Sequence, residues 1–300
     1  MVKLGRLFTA MVTAFDVEGR VEYDQMKRLA LALLDSGSDG LVVSGTTGES
    51  PTLTKEEKLR LFAEVKAAVG TRGAVMAGTG SYSTAESVEL TKEAEAIGVD
   101  AILLVVPYYN KPLQEGLFQH FKTIAQGTSL PCIIYNVPSR TVTNLAAETV
   151  IRLSEIYNII GIKEASANLD QIAKIIDGAG QDFLLYSGND SDTLPILALG
   201  GYGVVSVASH LVGAQIRGMM EKFLAGKASQ AAEIHHSLLP LINALFVVSN
   251  PIPVKYALNH LGFRVGKPRL PLTEPDEKSA ALIEATLKNY GIDLPFAAKP

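Results

Sequence analysis

The chain of 300 residues has a single cysteine, Cys132, so no disulfide can form within it. It has no block of like charge: 27 basic and 31 acidic residues are scattered and sum to -4. That leaves no electrostatic footprint for nucleic acid or an anionic membrane surface, and small molecules are the expected partners. Long apolar runs are missing too, since residues 101–106 fall far short of the roughly 20 needed to cross a bilayer. The Met-Val-Lys-Leu-Gly start lacks the apolar stretch of a secretory signal, and a cytoplasmic location is expected. His120, His210, His235, His236 and His260 show neither HExxH nor paired-Cys spacing, so no metal is expected and all five are read as structural or exposed. The phosphate-loop, dinucleotide and nucleophile-elbow patterns are absent as well, and no cofactor is expected.

What is present is a large apolar inventory, 47% hydrophobic with 26 Gly and 14 Pro, enough for an enzyme-sized core. It is laid out as a repeating unit. A β-type run at residues 7–15 precedes a helical pattern at 23–34, and the short strand 40–45 precedes a helix opened by the capping box Thr54-Lys-Glu-Glu57. Strands at 74–80, 101–109, 132–136, 159–166, 183–187 and 204–208 follow, with helices at about 84–96, 114–126, 146–156, from 168, 192–199 and from 213. Most of these strands are continuous Val, Ile, Leu and Ala, the mark of a parallel sheet covered on both faces. Eight units in about 210 residues predict a (β/α)8 TIM barrel, residues 1–224. From 225 to 300 the pattern is helical only, about 228–246, 253–261 and 276–290, which predicts a C-terminal helical appendage packed on the barrel or on another subunit. Asn250-Pro-Ile-Pro253 is read there as a turn.

In such a barrel, polar residues at the C-terminal strand ends converge on one mouth. Lys163 is the anomaly, a cation in Ile159-Ile-Gly-Ile-Lys-Glu-Ala-Ser166. Alternation groups it with Gly161 and Ala165 and puts Ile160, Ile162 and Glu164 on the opposite face. In an arbitrary strand such a lysine would snorkel to water. Inside a ring of strands, desolvation disfavours its charge, and a drop of about 3 pKa units costs about 4 kcal/mol while releasing a nucleophilic amine. A Schiff base with a ketone is the chemistry this suits. Tyr135 shares the inward parity on the adjacent strand; as more than a filler of the barrel it would move protons, helped by Thr46 and by Tyr108 or Tyr109. Gly45-Thr-Thr-Gly48 offers backbone N–H groups and hydroxyls to a small anion such as a 2-oxo acid carboxylate. Arg140, otherwise an ordinary surface arginine, adds a bidentate donor for a second carboxylate.

Five motifs in order, Gly45-Thr-Thr-Gly-Glu-Ser50, Pro107-Tyr-Tyr-Asn110, Tyr135-Asn-Val-Pro-Ser-Arg-Thr141, Gly161-Ile-Lys-Glu164 and Ser187-Gly-Asn-Asp190, make the chain resemble the dihydrodipicolinate synthases of the N-acetylneuraminate lyase superfamily. The resemblance extends through Asn250-Pro-Ile-Pro-Val-Lys255. It implies a lyase of lysine and diaminopimelate biosynthesis in which Lys163 forms a Schiff base with pyruvate. Tyr135 would then shuttle protons with Thr46 and with Tyr109 of a neighbouring subunit. Thr47 would hold the pyruvate carboxylate and Arg140 would orient L-aspartate 4-semialdehyde, with the backbones of Gly188 and Val205 lining the pocket. It also implies a homotetramer, a dimer of dimers. Lysine-inhibited members bind lysine at positions matching Ser50, Pro51, Lys55, Lys58, Tyr82, Glu86 and Tyr108; here cations at Lys55 and Lys58 and a tyrosine at Tyr82 depart from that pattern, and weak or absent inhibition is expected. The competing readings are a sugar-acid lyase of the same superfamily, against which Arg140 counts, and a non-catalytic acid-binding barrel, against which Lys163 and Tyr135 count.

Overall fold

The computed structural model describes residues 4–295. Its strands are β1 (Leu7–Ala10), β2 (Gly40–Val43), β3 (Ala74–Gly78), β4 (Ala101–Val105), β5 (Cys132–Asn136), β6 (Ile159–Glu164), β7 (Leu184–Ser187) and β8 (Gly203–Ser206). They close in sequence order into one parallel barrel, with β8 back on β1. Helices α1 (Tyr23–Asp35), α2 (Lys55–Val69), α3 (Thr84–Ile97) and α4 (Gln114–Gln126) follow the first four strands. Next come α5 (Pro138–Thr141), α6 (Ala147–Ser154), α7 (Leu169–Gly178), α8 (Thr193–Ala198) and α9 (Ser209–Leu224). After them α10 (Ala228–Ala244), α11 (Ile252–His260) and α12 (Glu277–Leu287) pack on α9 and on one another. No described helix is long and apolar enough to cross a membrane.

Local chemistry explains the boundaries. The Thr54 capping box forms in both directions: the Glu57 N–H donates to Thr54 Oγ1 at 3.2 Å, and the Thr54 N–H donates to Glu57 Oε2 at 3.0 Å. Asn168 caps α7 by accepting from the Gln171 N–H at 3.0 Å. Strand faces split the apolar residues into two cores. Leu41, Val43, Ile102, Leu104, Ile134 and Ile162 pack outward under the helices, while Phe8, Val42, Met76, Leu103, Ile133 and Tyr186 fill the barrel.

Several strands stop earlier than their apolar runs. β1 ends at Ala10 rather than 15, because residues beyond it turn over the mouth, where the Phe15 N–H bonds the Val265 carbonyl at 3.1 Å. β4 ends at Val105 rather than 109, ahead of Tyr109 at φ 75°. Residues 11–15, Val106 and Pro107 are buried beyond the regular ladder, so composition reads them as strand. Ile160 corrects the alternation of β6. It packs against the inner cluster, not on the face opposite Lys163. The cause is a register shift between Cys132 and Ile133, where Cys132 faces Ile159 but Ile133 faces Gly161. A Cβ on Gly161 would lie 2.3 Å from the Leu184 carbonyl oxygen, so only glycine fits at this irregularity. The ninth helix also starts earlier than 213, at Ser209, and it kinks at Val212.

Candidate active site

The C-terminal end of β6 brings Lys163 into register with Tyr135 of β5 on one side and Tyr186 of β7 on the other. Lys163 is only 5% exposed, and its Nζ stands 4.1 Å from the centroid of the Tyr135 ring. Burial lowers its pKa from the usual lysine range to about 7; Asp190 acts to raise it and Arg140 to lower it further. The ring face favours the cation, but desolvation wins, and the amine is half discharged near neutrality.

Tyr135 is buried, which raises its pKa, while Arg140 and a hydrogen bond with the Thr46 hydroxyl hold it down. A phenol sharing a proton with a hydroxyl beside a discharged amine is equipped for proton transfer. Glu164 points outward as its parity requires. It accepts from Asn136 Nδ2 at 3.0 Å, Gln171 Nε2 at 3.2 Å and the Ser166 N–H at 2.7 Å, and this network fixes the strand end behind the lysine.

A cleft of about 210 Å³ opens above, lined by Ser44, Thr46, Tyr108, Tyr135 and Arg140 among others. Arg140 is carried by α5, a one-turn helix not expected from the sequence, which Pro138 opens. The loop after β2 turns sharply at Gly48, where a Cβ would lie 3.1 Å from the Met11 carbonyl oxygen. That turn buries Thr47. Gly188 sits against Ala165, its N–H donating to the Glu164 carbonyl at 2.7 Å, and Val205 is inside the barrel opposite Phe8. Tyr109 is not in this assembly: it is 93% exposed, whereas its neighbour Tyr108 stacks edge-on with Tyr82 at 5.2 Å in the cleft wall.

Two residues that stand in the quoted motifs are given no role by the sequence. Asp190 is buried, accepting from the Val207 N–H at 2.9 Å, the Ala208 N–H at 3.1 Å and the Ser206 hydroxyl, and it is the carboxylate whose field reaches Lys163. Asn250, read as part of a turn, contacts both Thr47 and Arg140. A polar residue on a loop between helices gives no periodic signal, although a polar residue next to proline was visible. His120, His210 and His235 are buried, and His236 and His260 are exposed. His210 Nε2 accepts from the Val12 N–H at 3.2 Å, and burial lowers its pKa to about 4, as it does for His120.

Residues 3–290 match the profile of the dihydrodipicolinate synthetase family. The chain belongs to that family. Among this family's curated members, the 4-hydroxy-tetrahydrodipicolinate synthase of Dehalococcoides mccartyi is 66% identical over 296 residues, covering 99% of this chain and 100% of that one. A dihydrodipicolinate synthase crystal structure from Bacillus anthracis superposes with a TM-score of 0.95 at 45% identity, over 97% of this chain and 100% of that one. Another, from Cyanidioschyzon merolae with lysine bound, gives 0.94 at 48% identity, over 95% and 98%. The synthetase-family membership agrees with a closed eight-stranded barrel followed by helices.

Proposed function

We propose that this chain condenses pyruvate with L-aspartate 4-semialdehyde to give 4-hydroxy-tetrahydrodipicolinate, in lysine biosynthesis through diaminopimelate. The observation that carries it is Lys163, buried against the Tyr135 ring with its pKa lowered to about 7, at the mouth of a barrel of this family. The amine adds to the pyruvate ketone, and the carbinolamine loses water to an iminium. Loss of a methyl proton gives the enamine, whose carbon attacks the aldehyde. The amino group of the second substrate then closes the ring and displaces Lys163. Tyr135 and Thr46 carry the protons, Thr47 holds the pyruvate carboxylate, Arg140 the carboxylate of the aldehyde, and Gly188 and Val205 line the floor. Borohydride reduction with pyruvate should add a three-carbon acid to Lys163, read by peptide mass spectrometry; a sugar-acid lyase would give the same adduct but release pyruvate from N-acetylneuraminate instead of consuming the semialdehyde.

The exposed Tyr109 supports a shared site in which that residue serves a neighbouring subunit's relay, in a homotetramer built as a dimer of dimers. We read the location as cytoplasmic, in keeping with a biosynthetic activity of this kind. We read residues 1–224 as the barrel and 225–300 as the appendage, supported by α9 ending at Leu224 and α10 starting at Ala228. Inhibition by lysine is expected to be weak. Lys55 is engaged by Glu89 at 2.5 Å and Glu93 at 2.8 Å, and Lys58 is a half-buried cation beside Glu86, so a lysine ligand's ammonium would compete with Lys58 for that carboxylate. A dose–response curve reaching half inhibition at sub-millimolar lysine would overturn this.

A further inference from the structure

One residue outside that set touches two members of it. Asn250 lies in the joint between α10 and α11 and is only 6% exposed. Its Nδ2 donates to Oγ1 of Thr47 at 2.9 Å, and its main-chain carbonyl accepts from Nη2 of Arg140 at 3.2 Å. Its Oδ1 is buried with no hydrogen-bond partner among the described residues, unusual for a buried amide and the mark of a polar group completed from outside the fold.

The direction of the bonds decides what they do. A hydroxyl owns one proton and accepts through its lone pairs. Because Asn250 donates to it, the Thr47 oxygen keeps its own proton for another acceptor, and a carboxylate is such an acceptor. A guanidinium presents its donors in a rigid planar fork, so anchoring one nitrogen on a fixed carbonyl sets the plane of the rest. We infer that Asn250 is a positioning residue for both substrates, its side chain aiming Thr47 at the pyruvate carboxylate and its main chain aiming Arg140 at the carboxylate of the aldehyde. This rests on the pyruvate and semialdehyde reading above. It makes the segment after the barrel a working part of the site.

The two halves of the contact separate in an experiment. Asn250→Ala removes the amide but keeps the carbonyl, so half-saturating pyruvate should rise about tenfold, while half-saturating semialdehyde stays within about twofold. Pyruvate saturation is read from borohydride-trapped adduct by mass spectrometry, and semialdehyde from steady-state rates on the full-length protein. Asn250→Asp, which keeps the shape but cannot donate to Thr47 when ionised, should raise half-saturating pyruvate further and decides the matter if the alanine variant does not fold. A role confined to the turn would lower the melting temperature and leave both constants unchanged, and that result would overturn the inference alone. No adduct in the unmodified protein would overturn the pyruvate reading and this inference with it.

Discussion

Lys163→Met is expected to abolish the borohydride-trapped pyruvate adduct and to lower condensation by about four orders of magnitude or more, the scale seen when a covalent nucleophile is removed. The same variant should be more stable than the parent near pH 6. Burial drops the folded-state pKa of Lys163 to about 7 from the usual lysine value of 10.5, so below about pH 7 the folded chain carries a charge it disfavours. The folded state binds fewer protons than the unfolded one between those two values, so this group's contribution to stability grows as pH rises from about 7 to 10.5. The full penalty at low pH is on the order of 4–5 kcal/mol, which a methionine of similar shape would not incur. For the unmodified protein, the rate of adduct formation should climb through about pH 7 as the amine loses its proton. An adduct that survives Lys163→Met, or a rate flat across that range, would remove the lysine from the chemistry.

The second large effect lies away from the chemistry. Lys255→Met should cost about 3–5 kcal/mol and lower the melting temperature by on the order of 10 °C. Lys255 Nζ is buried 2.8 Å from Glu49 Oε1 and also donates to the carbonyls of Thr13 at 3.0 Å and Lys267 at 3.1 Å. Burial pulls its pKa down to about 8 against the opposing pull of Glu49. Removing the cation leaves Glu49 buried with the Arg269 N–H, at 2.8 Å, and the more distant Arg269 guanidinium to balance its charge. Arg269 is itself tied to Glu57 at 2.5 Å, and both cations lie over the Phe15 ring, at 4.2 and 4.4 Å. Pairing Lys255→Met with Glu49→Gln should recover much of the loss, because the isolated charge is the costly element. Equal melting curves for the parent and Lys255→Met, followed by circular dichroism, would show that the appendage is held by apolar packing alone.

Legibility followed periodicity. The bounds of α4 and β5 were visible to the residue, since both are set by repeating apolar positions and by Gly127, Pro131 and Pro138 at their ends. Lys163 and Tyr135 stood out because a charged and a phenolic group interrupt apolar runs of known parity. What stayed hidden had no period to betray it. A one-turn helix such as α5 is too short for a pattern. Asp190 sits on the loop after β7, and its partners are amide groups at the end of β8, a pairing that exists only after the barrel closes. Asn250 reaches Thr47 across 203 positions of chain.

The register shift in β6 gives that strand two phases. Below it, Ile160 spends itself as filling for the barrel; above it, Lys163 and Glu164 are dealt to the cleft and to the outer wall. A strand in perfect step from end to end would have to choose between a sound plug and a correctly aimed amine. Deleting Ile160 would restore simple pairing, Ile159 with Cys132 and Gly161 with Ile133, and would leave Lys163 opposite Tyr135 while costing the barrel part of its apolar filling. The single out-of-step residue is therefore the hyphen that lets one short word be read as ballast at its beginning and as reagent at its end.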